Sequence, residues 1–254
     1  MAHLRCDLRS ELMDMITSVS VILPDNEDLS SVPVIYLFHG LADNCTGWTR
    51  YTSVERYARR YNAALVIPEV QRSFYMDMKY GLPYFRYVHD ELPEICRRIF
   101  RIDNKPSRTY VMGLSMGGYA ALKCLLRTPE RYAGCAAFSA ATDLQERVDA
   151  SDAKQQLEYS AILGEELRVP PEDDLFQLAE TGRAEKLPPI YMACGKQDDL
   201  LGQNILFAEK LKQKGASIQF EQWDGIHGWD FWDMAVCRAM DYLLNADRTE
   251  GASK

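Results

Sequence analysis

Gly113-Leu-Ser-Met-Gly117 is the segment best equipped for chemistry. Thr-Tyr-Val-Met before it is a buried-strand sequence, and Gly118-Tyr-Ala-Ala-Leu-Lys-Cys-Leu-Leu126 after it is a helix sequence. Strand, sharp turn and helix together make a serine hydroxyl stand clear of a sheet, provided the flanking residues are small. The helix N-terminus also aims backbone N–H groups at negative charge developing beside it. A serine hydroxyl needs a base, and the chain offers four histidines. His3 belongs to a start expected to be floppy, His89 lies mid-helix among charged residues where a solvated role is expected, and His39 precedes Gly40 at a strand end. His227, in the turn Trp223-Asp-Gly-Ile-His-Gly-Trp229 directly after a strand, is the base by elimination and location. The orienting acid should end a strand between serine and histidine. Ile190-Tyr-Met-Ala-Cys-Gly195 is that strand, and in the loop after it both Asp198 and Asp199 fit; Asp224 is a weaker rival, too near the histidine. For the oxyanion of an acyl transfer, one donor is the N–H of the residue after the nucleophile, Met116. The second is the Leu41 N–H, after the strand that ends Phe38-His-Gly.

The elements that must carry these residues alternate. Apolar, β-branched runs at Val32–Phe38, Ala63–Pro68, Arg108–Met112, Cys135–Phe138, Ile190–Cys194 and Ser217–Gln222 suit strands covered on both faces. Leu12–Leu23 alternates enough for antiparallel edge strands. Helical spacing fills the gaps at Val54–Tyr61, Tyr84–Phe100 (with a kink or boundary at Pro93), Met116–Leu126, Asn204–Lys214 and Trp229–Leu244. The fold class is therefore α/β, with a mostly parallel central sheet and helices on both faces.

One domain is expected over residues 1–254, with 141–189 an insertion of short helices and loops that forms a lid or cap. This stretch holds five Asp and seven Glu against five Lys and Arg, so nearly all of the chain's net charge of −8 lies in it. Hydrophobic residues at 47% and charged residues at 26% exclude a disordered chain. Without a basic block, neither nucleic acid nor an anionic membrane is an expected partner. The seven cysteines show no CxxC spacing, so neither a disulfide framework nor a zinc cluster is expected. No segment approaches the ~20 apolar residues of a membrane span, and the start lacks a signal-peptide core, so a cytoplasmic setting is expected.

Beyond Gly113–Gly118, several segments resemble the esterase D and tributyrin-esterase family of serine hydrolases over nearly the whole chain. They are His39-Gly-Leu-Ala-Asp-Asn44 with Trp48, Val54-Glu-Arg56, Ser73-Phe-Tyr-Met-Asp-Met78 with Gly81, and Glu91-Leu-Pro93. Cys194-Gly195, Asp198, Asn204, Phe207 and His227-Gly-Trp229 with Trp232 complete the set. The resemblance implies the α/β-hydrolase fold with its small lid, and it selects Asp198 as the acid. It implies a serine carboxylesterase acting on short-acyl (acetyl to butyryl) esters through a Ser115–His227–Asp198 triad and an acyl-enzyme, with a small-molecule ester as partner and a homo-oligomer as an expected assembly. That chemistry requires no cofactor and no metal. Feruloyl or acetyl-xylan esterases and S-formylglutathione hydrolases are alternatives within the family. His227-Gly-Trp-Asp-Phe-Trp232 departs from the Ser-Tyr-like continuation of the S-formylglutathione hydrolases. A catalytically silent binding protein on the same scaffold is the non-enzyme alternative. Trp48, Tyr75 and Trp229 are candidate substrate contacts because each lies near a loop that carries chemistry.

Overall fold

The computed structural model describes residues 1–25, 28–182 and 184–251. Eight strands form one sheet: β1 (Ala2–Ser10), β2 (Met15–Leu23), β3 (Val34–Phe38), β4 (Ala64–Pro68), β5 (Thr109–Leu114), β6 (Gly134–Phe138), β7 (Ile190–Gly195) and β8 (Ile218–Trp223). The helices are α1 (Gly47–Tyr51), α2 (Val54–Tyr61), α3 (Tyr84–Arg86), α4 (Leu92–Phe100), α5 (Met116–Arg127), α6 (Leu144–Asp149), α7 (Ala153–Leu163), α8 (Leu175–Thr181), α9 (Leu201–Gln213) and α10 (Trp229–Gly251). The strand order is β1-β2-β4-β3-β5-β6-β7-β8. β2 runs antiparallel to β1 and β4, and every pairing from β4 to β8 is parallel.

Strand alternation divides the core in two. Val34, Tyr36 and Phe38 join the cluster that includes α4, α5 and α9, while Ile35 and Leu37 join the one built on α2 and α10. Covered on both sides, β3 has no exposed residue, which is why its sequence is an unbroken apolar run. Among the described residues, no helix is long and apolar enough to cross a membrane.

Two expectations, the floppy start and the solvated His89, are corrected, and the break expected at Pro93 takes a definite form. The chain start is an ordered edge strand, with all nine residues of β1 in register against β2. Its Cys6, Leu8 and Ser10 turn inward between Arg5, Asp7 and Arg9, and residues 11–14 form the turn that leads to β2. Over Tyr84–Phe100, Pro93 produces a π turn at Tyr87–Glu91 before α4. Proline has no N–H for the carbonyl one helical turn back, and that carbonyl, on His89, instead accepts from Arg131 Nη2 at 2.7 Å. His89 itself is buried, not solvated: it stacks on Phe85 and hydrogen-bonds Asp90 and Thr128. The described residues of the 141–189 region form three short α-helices and a 3-10 turn at Ala184–Lys186, the second α-helix opened by a capping box between Asp152 and Gln155.

Candidate active site

β5 delivers Ser115 into the turn before α5 with φ 52° and ψ −115°, a region that side chains enter only under constraint. The constraint is backbone packing: a Cβ on Gly117 would lie 2.5 Å from the Phe38 carbonyl oxygen and 2.7 Å from that of His39. The elbow is pressed against the end of β3, and the Ser115 N–H donates to Phe138 O on β6 at 2.8 Å.

Two other strand ends meet it. The loops after β7 and β8 are joined through Gln197, whose N–H donates to Gly225 O at 3.0 Å and whose side-chain oxygen accepts from the Gly225 N–H at 2.7 Å. Gly195 permits this approach, because a Cβ there would stand 2.2 Å from Gly225 O. Asp198 and His227 thereby face each other. His227 Nδ1 lies 2.9 Å from Asp198 Oδ2, and His227 Nε2 lies 3.0 Å from Ser115 Oγ. Asp198 Oδ1 accepts from the Leu200 N–H at 2.9 Å. Burial pushes the Asp198 carboxyl pKa up, but donors from His227, Ser139 and the Leu200 N–H outweigh this and hold it below the ordinary aspartate value. Asp199 is exposed, and Asp224 pairs with Lys196 at 3.3 Å.

Ser115 and His227 open onto a cleft of about 340 Å³. Its walls include Leu41, Leu114, Leu200 and Trp232, with Arg147 of α6 and the carboxylates of Asp43 and Asp199 at its edge. Met116 is the first residue of α5, so its N–H has no acceptor within the helix. Of the aromatic candidates, Trp48 and Tyr75 are fully buried and do not line the cleft. Trp48 Nε1 donates to Phe38 O at 3.0 Å, and Tyr75 Oη donates to His39 O at 3.2 Å. Trp229 is half-buried between Tyr51, Trp48 and Trp232, also outside the cleft lining. Trp232 is the aromatic residue that reaches the site, with its ring edge-on to His227 at 4.9 Å. Arg147 carried no signal, since it lies in the weakly periodic insertion.

A hydroxyl, an imidazole and a carboxylate in hydrogen-bonded series beside a helix N-terminus can transfer an acyl group through a covalent intermediate. The model of the Esterase family matches residues 10–243. An acetyl esterase of Caldicellulosiruptor saccharolyticus is 30% identical over 261 aligned positions, spanning 96% of this chain and 98% of that protein. Fluorophosphonate-binding serine hydrolase F (FphF) of Staphylococcus aureus, solved with substrate bound, superimposes with a TM-score of 0.87 at 29% identity, covering 96% of this chain and 98% of that one. An S-formylglutathione hydrolase (FrmB) of the same species gives a TM-score of 0.85 at 30% identity with the same coverage. The chain belongs to the Esterase family and is a serine hydrolase built on the α/β-hydrolase fold.

Proposed function

We propose that the enzyme hydrolyses short-acyl carboxylic esters, acetyl to butyryl, with Ser115 as nucleophile. The observation that carries this reading is the series Ser115 Oγ–His227 Nε2–Asp198, with contacts of 3.0 and 2.9 Å, at the floor of a small, largely apolar cleft. His227 takes the hydroxyl proton as Ser115 attacks the ester carbonyl, and Asp198 holds the imidazole tautomer and stabilises the imidazolium. The Leu41 and Met116 N–H groups receive the oxyanion, where one such donor is worth about 2.7–4 kcal/mol of barrier. The alcohol leaves with the proton from His227, and water activated by the same ring releases the acid. The 141–189 segment serves as a cap, a reading supported by the position of Arg147 in the cleft wall. The small-molecule ester enters beside it.

The likeness to an acetyl esterase supports the short-acyl preference. The likeness to an S-formylglutathione hydrolase favours thioester hydrolysis as a second reading. A panel of p-nitrophenyl acetate, butyrate and octanoate with S-formylglutathione separates the two. Acetate and butyrate are expected to have the highest kcat/KM. A higher value for octanoate would overturn the short-acyl reading, and a higher value for S-formylglutathione would replace it with the second.

A further inference from the structure

His39, left out of the proton-transfer series, is fully buried where β3 meets the Gly40–Leu41 turn. Its Nδ1 lies 2.8 Å from Gly40 O, and its Nε2 lies 3.3 Å from the Val70 nitrogen. A carbonyl oxygen only accepts and an amide N–H only donates. The two partners therefore assign the tautomer: the proton sits on Nδ1, and Nε2 accepts. Burial supports this neutral state, lowering the imidazole pKa against the Gly40 carbonyl and Glu69, which would both raise it.

The bond to Gly40 O matters because that carbonyl shares a planar trans peptide with the Leu41 N–H. The two groups point in opposite directions, so fixing the oxygen aims the hydrogen. Neighbouring contacts hold the same turn: the Asp43 N–H donates to Gly40 O at 3.2 Å, and Arg72 Nη1 donates to Leu41 O at 3.3 Å. Tyr75 holds the His39 carbonyl, and the Tyr75 carbonyl accepts in turn from the buried Lys123 Nζ at 2.8 Å. Phe74 and Tyr75 take φ values of 51° and 50° to make this possible, backbone strain that persists only when its surroundings enforce it.

We propose that His39 is a positioning residue whose Nδ1–H, through the Gly40 carbonyl, aims the Leu41 N–H at the oxyanion formed on attack by Ser115. The inference rests on the serine-esterase reading given above. His39→Asn keeps an amide donor near the place of Nδ1, whereas His39→Leu keeps none. His39→Leu is expected to lower kcat on p-nitrophenyl acetate by about 100-fold, at the lower end of the effect of losing one oxyanion donor, with little change in KM. Affinity for phenylboronic acid, which forms a tetrahedral adduct on serine, is expected to fall in parallel. His39→Asn is expected to recover most of both losses. A folded His39→Leu enzyme with wild-type kcat, or one that outperforms His39→Asn, would overturn the proposal. A purely structural role would lower stability without moving boronate affinity in step with kcat. Should His39→Leu not fold, the 15N shifts of His39 in the wild-type enzyme decide. The Nδ1–H tautomer is expected, and an Nε2–H ring overturns the proposal. Loss of turnover in Ser115→Ala tests the underlying reading separately, since it does not depend on His39.

Discussion

Asp198→Asn exchanges one oxygen for an NH2 group and leaves the shape of the side chain unchanged. In the native site both carboxylate oxygens are committed, Oδ2 to His227 Nδ1 and Oδ1 to the Leu200 N–H, each at 2.9 Å. An amide cannot serve both. With its oxygen on Leu200, its NH2 faces Nδ1, which must surrender its proton. Nε2 then carries a hydrogen toward Ser115 Oγ, 3.0 Å away, and cannot accept one. With the oxygen on Nδ1 instead, the NH2 meets the Leu200 N–H, donor against donor, at a residue only 5% exposed. An unsatisfied buried donor costs about 1–3 kcal/mol. The inactive arrangement is therefore favoured by roughly 5- to 150-fold, applying that energy against RT of about 0.59 kcal/mol. The missing negative charge beside the forming imidazolium supplies the rest of the roughly 10⁴-fold loss of kcat expected when this tautomer is lost. Initial rates on p-nitrophenyl acetate, with a melting curve to establish folding, measure it. A folded Asp198→Asn enzyme with a tenth or more of wild-type kcat would overturn the role proposed for Asp198, as would inactivation by Asp199→Asn in its place. The same carboxylate sets a pH dependence. Its folded pKa lies below the ordinary 3.8, so its contribution to stability is complete above that value and lost as pH falls through the folded one. Stability curves of wild type and Asp198→Asn should therefore run parallel above about pH 4 and draw together below it, as the wild-type carboxylate is protonated.

Two further substitutions test the scaffold. Lys123→Met removes a fully buried ammonium that lies 3.1 Å from Asp173 Oδ1. Arg127 at 3.4 Å still faces that carboxylate, so the loss is expected at about 2–4 kcal/mol, near the low end for a broken buried pair. Denaturant unfolding measures it; wild-type stability would refute the pairing argument, and adding Asp173→Asn should recover part of the loss. Gly117→Ala places a Cβ 2.5 Å from Phe38 O and is expected to destabilise by about 1–3 kcal/mol or more while lowering kcat, as read by a melting curve and initial rates. Wild-type values of both would show that the elbow is not pressed against β3.

What could be read in the sequence follows from how strongly each feature constrains its residues. β3 to β7 are legible because two-sided burial removes nearly every polar residue from them. β1 is hard to see because only alternate residues pack, and the charges of Arg5, Asp7 and Arg9 interrupt the apolar signal. Pro93 marked a break, but its form, a π turn with the His89 carbonyl passed to Arg131, depends on a residue distant in sequence. At the site, the serine elbow and the histidine turn stand out, because each must occupy a strand end. Asp198 and Asp199 are adjacent and chemically identical, so spacing could not separate them; the family resemblance did. Trp48 and Tyr75 were legible as neighbours of the reactive loops, but not as residues turned inward to brace them. Arg147 and the course of α6 to α8 depend on packing of a weakly periodic segment over the sheet.

Labelling with a fluorophosphonate, followed by intact-mass and peptide mass measurement, tests the proposal that Ser115 is the nucleophile of an ester hydrolase. One equivalent is expected on Ser115, with ester turnover abolished in step with labelling. Ser115→Ala is expected to take no label and to lose on the order of 10⁶ in kcat. A folded Ser115→Ala enzyme that still turns over ester, or a label found on another residue, would contradict the account.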